Sequence, residues 1–140
     1  MTQLESIVVE KINKWLKENK IKAIAYRRFG PNRFVNQFCD ILIDSSNKKY
    51  YLAIEVKKLT YPKLYFTDLP KNQVKNMTDF LSKSGRTGFL IMGLYDKKGK
   101  EITFDVVNHN FVEQQMYDGK KGIIFNNVEP KSIEQFLGEL

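Results

Sequence analysis

Leu4, Val8, Ile12, Trp15 and Leu16 recur at helical spacing, which predicts an amphipathic helix over residues 3 to 19. Ala23 to Arg27 reads as a short strand, and Phe29 to Gln37, with its Gly, Pro and Asn residues, reads as a loop. Two apolar runs follow, Phe38 to Asp44 and Tyr50 to Lys57, separated by the polar turn Ser45-Ser46-Asn47-Lys48. This pattern predicts an antiparallel hairpin. Beyond Pro62 the spacing predicts a helix from about Pro70 to Ser82, with Asp68 as its cap and Pro70 suited to the first turn. Gly88 to Leu94, Ile102 to Val107 and Gly122 to Phe125 read as strands, and Asn110 to Tyr117 as a short helix. Ser132-Ile-Glu-Gln135 opens a last helix with a capping-box pattern. The order predicts an α/β fold, a mixed central sheet flanked by helices, with 1–140 as a single domain.

Three charges break the pattern. Each strand of the hairpin is apolar at both parities, the mark of a sheet covered on both faces. Asp40, Glu55 and Lys57 nevertheless interrupt them. Glu55 and Lys57 stand two apart and so leave the same face of one strand, while a hairpin register can set Asp40 beside Glu55. Burying such groups costs several kcal/mol per ion unless a partner compensates. Two adjacent carboxylates repel, and a divalent cation removes the repulsion while favouring ionisation of both. Mg²⁺ accepts one or two carboxylates, several waters and phosphate oxygens, the ligand set of a phosphodiester-cleaving site. In that reading Lys57 orients or deprotonates the attacking water, or stabilises the transition state. The plain alternative is an exposed Glu55–Lys57 pair at a strand end, with Asp40 merely starting its strand.

Two helix positions bear on the choice. Glu5 falls about 50° from the centre of the apolar face of the first helix, whereas Glu10 points nearly the opposite way. Gln73 lies about 50° from the centre of the face formed by Val74, Met77, Phe80 and Leu81 in the second helix. Glu5 is therefore a candidate metal ligand, and Gln73 a candidate for binding a water or a phosphate. The alternatives are a glutamate at the edge of its face and a satisfied core glutamine.

Composition adds a partner class and removes others. The net charge of +7 and a sequence pI of about 9.4 favour an anionic partner, most often nucleic acid. A single cysteine, Cys39, excludes an internal disulfide, and with only His109 beside it cannot build a zinc site. Cys39 lies in an apolar run and reads as a buried structural thiol. His109, between two asparagines at a strand-to-helix junction, reads as part of a cap. No glycine-rich phosphate loop is present, so no nucleotide cofactor is expected. No apolar run approaches the roughly 18 residues of a membrane span, and the charged start, Met1 to Leu16, lacks a signal-peptide core. The expected location is the cytoplasm.

Asp40 followed by Glu55-Val56-Lys57 resembles the motif of the PD-(D/E)xK nuclease superfamily, and within it the chain is most similar to the archaeal-type Holliday junction resolvases. Glu5 with Val8, Val9 and Ile12 fits the early-helix glutamate pattern of that family. Lys63-Leu-Tyr-Phe-Thr67, Gln73, Phe80, Lys83-Ser-Gly85 and Phe89-Leu-Ile91 follow at similar spacing, so the likeness covers roughly residues 5 to 94. The proline that often precedes the first aspartate is Cys39 here, and the Gly/Ser-rich loop is replaced by residues 29 to 37.

The resemblance implies a restriction-endonuclease-like fold and a homodimer using Mg²⁺ or Mn²⁺. It also implies paired nicks across a four-way junction selected by shape. Its catalytic set would be Glu5, Asp40, Glu55, Lys57 and Gln73, with Asp40, Glu55 and Glu5 on the metal. Candidate phosphate contacts are Arg27, Arg28 and Arg33, then Lys58, Lys63, Lys71 and Arg86. Competing readings keep the same motif: a restriction-like or repair endonuclease on duplex or flapped DNA, an RNA-directed nuclease, or a non-catalytic module binding branched DNA.

Overall fold

The computed structural model describes residues 3–28, 39–70, 72–126 and 128–140. Within them, helix α1 (Gln3–Glu18) is followed by strands β1 (Ala23–Arg27), β2 (Ile41–Ser45) and β3 (Leu52–Leu59). Strand β4 (Lys63–Tyr65), helix α2 (Gln73–Ser84) and strands β5 (Thr87–Tyr95) and β6 (Ile102–Asn108) come next. Helix α3 (His109–Tyr117), strand β7 (Gly122–Ile124) and helix α4 (Ile133–Gly138) complete the order. The main sheet runs β1-β2-β3-β5-β6, with β3 and β5 parallel and the other neighbours antiparallel. Strands β4 and β7 pair separately.

The side-chain period of strand β3 sorts the core into layers. Leu52, Ile54 and Val56 face α1, which presents Leu4, Val8, Ile12 and Leu16 from one stripe. Helix α4 adds Ile133, Phe136 and Leu137 to that layer. On the opposite parity Ala53 packs with Cys39, Leu42 and Met77 of α2, and Glu55 and Lys57 continue along the same face. Leu59, Leu64, Leu90, Met92 and Ile123 form a third cluster beneath the β4–β7 pair. Helix α1 is also tied to the sheet by a side chain. The Asn13 amide donates to the Ala25 carbonyl, and its oxygen accepts from the Ala25 N–H, both at 2.9 Å.

The predicted hairpin is present, with Ile41 opposite Ile54 and Ile43 opposite Leu52. Its turn is longer than the sequence suggested. A 3₁₀ turn at Lys48–Tyr50, capped by the Asn47 side chain, delays β3 to Leu52 and leaves Tyr50 buried against Trp15. The second helix starts at Gln73 rather than Pro70. Asp68 closes a 3₁₀ turn at Phe66–Asp68, and Leu69 is extended (φ −88°, ψ 146°), as sterics require of a residue preceding proline. Asn72, at φ 64°, then takes the left-handed conformation at the helix entry. Ser132 caps α4 as the pattern predicted, accepting from the Gln135 N–H, although the Gln135 amide bonds Glu139 instead of turning back.

Gly122 decides how closely β7 approaches β4. A Cβ at this position would collide with the backbone carbonyl of Leu64, and a backbone atom cannot swing aside as a side-chain tip can. Gly122→Ala is expected to cost about 1–3 kcal/mol by forcing the two strands apart. Thermal denaturation measures this, and an unchanged midpoint would show that the pair relaxes freely.

Candidate active site

Asp40 stands one residue before β2, and extending the hairpin register places it opposite Glu55. Its backbone is held from both sides, by Asp40 N–H to Ile54 O at 2.9 Å and by Arg28 N–H to Asp40 O at 2.7 Å. One carboxylate oxygen, Oδ2, accepts from the Val56 N–H at 2.8 Å. Asp40 is thus an acid whose position the sheet itself determines.

Glu55 has 13% of its side chain exposed. Burial, then the neighbouring Asp40 charge, push its carboxyl well above the ordinary range; Lys57 and Gln73 act the other way. The Lys57 ammonium stands 3.4 Å from Glu55 Oε1. Glu55 Oε2 is buried with no hydrogen-bond partner among the described residues, and so is Gln73 Oε1 at the first residue of α2.

Glu5, in the first turn of α1, comes to the same end of the sheet. Burial and then the Asp40 charge raise its pKa, while the Arg27 guanidinium, donating to Glu5 Oε2 at 2.7 Å, lowers it. The fold therefore brings Glu5, Asp40, Glu55, Lys57 and Gln73 into one neighbourhood. Among the described residues, no three His, Cys, Asp or Glu side chains form a ready-made metal cage. The donor set instead suits a hard cation that takes two carboxylates and fills its remaining positions with water and phosphate oxygens. Close acids that repel and an orphaned buried carboxylate oxygen are the features such an ion would resolve.

The basic candidates separate into distinct roles. Lys58 and Lys63 line the groove that begins at Lys57. The Arg27 side chain, 14% exposed, clamps Glu5. Arg28 is half-buried beside Asp40, and Arg33 and Lys71 lie outside the described residues. Arg86, expected at a DNA contact, is engaged within the protein. Its side chain is 9% exposed, stacks on Tyr51 at 4.0 Å, and donates to Ile43 O, Leu52 O and Asp44 Oδ1 at 3.0, 3.1 and 2.6 Å. A guanidinium so engaged is turned into the protein rather than towards a phosphate.

His109 departs from its expected role too. Asn108 caps α3 by accepting from the Asn110 N–H, whereas His109 is buried with Nε2 2.9 Å from Thr78 Oγ1. The Thr78 hydroxyl also lies 3.0 Å from Val74 O, which ties His109 to the first turns of α2. Cys39 is fully buried, and burial pushes its thiol up to about 12, which removes it as a nucleophile at neutral pH. The Glu5–Arg27 pair was missed because it joins residues 22 apart on different elements, with no local signal in the chain.

The whole arrangement can be set against known proteins. The chain shares the fold of a Holliday junction resolvase. That protein is Hjc of the archaeal hyperthermophile Archaeoglobus fulgidus. The match has a TM-score of 0.66 at 20% identity and covers 99% of this chain and 98% of the other. The expected mixed sheet with flanking helices, restriction-endonuclease-like, is therefore the fold observed. No protein-family model matches the chain, and no curated protein does. No helix among the described residues is long and apolar enough to cross a membrane.

Proposed function

We propose that the chain is a divalent-metal-dependent endonuclease that resolves four-way DNA junctions by paired nicks. It would act as a homodimer of one nuclease domain per chain. The observation that carries this reading is the Asp40–Glu55 pair, one acid pinned by the sheet and the other buried with an unbonded oxygen, beside Lys57. The shared fold with a resolvase of nearly the same length supports it.

Asp40 and Glu55 would hold Mg²⁺ or Mn²⁺, with Glu5 at the edge of the set, and the ion supplies charge neutralisation at the phosphate and acidifies a water. Lys57 draws Glu55 towards its ionised form and offers N–H donors to a water or a phosphate oxygen. Arg27 keeps Glu5 directed at the site by a charge-assisted bond. Gln73, held at the start of α2, presents an amide oxygen that can accept from the attacking water. Lys58 and Lys63 bind phosphates flanking the cut. The homodimer sets two such sites on opposing strands, so that shape selects the substrate.

The test is cleavage of labelled four-way junction, matched linear duplex and single-stranded DNA, each with Mg²⁺ or with EDTA. Paired Mg²⁺-dependent nicks in the junction are expected, with the duplex spared. Asp40→Ala is expected to bind junctions without cutting them. Equal cutting of every substrate would replace the resolvase with a general endonuclease. Junction binding without cutting under Mg²⁺ or Mn²⁺ would reduce the chain to a binding module.

A further inference from the structure

Beside the candidate site the surface forms two open grooves, of about 460 and 610 Å³. The first is lined by Lys57, Lys58, Thr60, Lys63 and Tyr65. The second is lined by Lys58, Thr60 and Tyr95, with Lys97 and Lys98 from the turn between β5 and β6. Lys58 and Thr60 belong to both, so the grooves join into one trough at the C-terminal ends of the parallel strands β3 and β5.

The joining follows from strand geometry. Lys57 and Lys58 are consecutive in β3, so their side chains leave opposite faces of the sheet. Lys57 stays beside Glu55, while Lys58 emerges on the α1 side, its ammonium 4.7 Å from the centre of the Tyr95 ring. The trough thus wraps the sheet end and carries charge from one side of the site to the other. Five lysines line it against Asp68 and Asp96, and the Asp96 carboxylate already accepts the Lys100 N–H within its own turn at 2.8 Å.

We infer that Lys97 and Lys98 form a second phosphate contact, holding the sugar–phosphate backbone of a DNA arm that leaves the cut site through this trough. The inference rests on the nuclease reading and extends it from Lys57 to the turn between β5 and β6. The occupant fits the trough because it is a continuous chain of anions. A trough lined on both sides of Lys58 neutralises several phosphates in succession, where an isolated pocket would take one.

The experiment measures binding of fluorescent four-way junction in EDTA, from about 50 to 200 mM salt, the range over which counterion release is most telling. It compares wild type, Lys97→Ala/Lys98→Ala, and the control Lys14→Ala/Lys17→Ala, which removes the same charge from the exposed face of α1. Removing the trough pair is expected to flatten the log K against log salt slope by about two, and to weaken binding roughly tenfold. The control should leave the slope within about a half of wild type. If both double variants flatten it equally, only net charge matters and the inference is overturned. If wild type binds and cuts junctions while the trough variant keeps the wild-type slope, the inference alone fails. If wild type binds no DNA at all, it falls together with the nuclease reading.

Discussion

Glu55→Gln is expected to eliminate cutting while leaving a protein at least as heat-resistant as the wild type. In the proposed reading, an ion held at this position would be worth several kcal/mol to a developing phosphate charge, so the rate should fall about a thousand-fold or more. Stability should move the other way, because burial and the Asp40 charge raise the Glu55 pKa in the folded chain. A carboxyl raised in this way contributes stability that is fully present below the ordinary glutamate pKa. That contribution is lost as pH rises through the folded value. Glutamine has no such loss. In EDTA the melting temperatures of the two proteins should therefore agree near pH 4 and separate in favour of the variant towards pH 8. A variant that melts lower at every pH would mean that the Lys57 contact outweighs the penalty of burying the charge. Retained cutting would remove Glu55 from the site.

Arg86→Met should produce the opposite result, a weakened fold with intact recognition. The guanidinium satisfies the carbonyls of Ile43 and Leu52, pairs with Asp44 and covers Tyr51. Methionine retains an apolar stem but leaves two part-buried carbonyls and a carboxylate without this donor. The expected cost is about 3 kcal/mol, less than for a fully buried pair because Asp44 is 42% exposed. For a chain of this size that lowers the melting temperature by about 10 °C. Junction affinity, measured well below the transition, should stay within about twofold, since no phosphate contact is removed. A large loss of affinity with an unchanged melting temperature would restore Arg86 to the DNA surface.

What the sequence made legible was whatever depends on short spacing. Glu5 and Gln73 could be aimed inward by helical period alone, and Asp40 could be set beside Glu55 because a hairpin joins neighbouring segments. The partners of Arg27 and Arg86 were out of reach for a shared reason. They depend on how α1 crosses β1 and on the parallel register in which Leu52 meets Thr87, and neither is written in local pattern. The start of α2 illustrates a competition between rules. Proline suits a first helical turn, and the extended Leu69 before it is compatible with one, but Asn72 takes the left-handed conformation and the helix begins only at Gln73. The pairing of β4 with β7 was equally hidden, since α2, β5, β6 and α3 intervene between the two short strands.

The bond between Asn13 and Ala25 bears on how copies of the molecule can meet. Strand β1 is an edge of the main sheet, and an edge offers unpaired amides to any passing strand, the usual route to edge-to-edge aggregation. The Asn13 carboxamide has the donor and acceptor of a peptide group, and it answers both backbone groups of Ala25 as the next strand in a ladder would. The side chain of a helix thus stands in for the missing neighbour in the middle of a five-residue edge. A second copy cannot add a strand at Ala25 without displacing Asn13, so the helix side chain guards this edge of the sheet against strand addition.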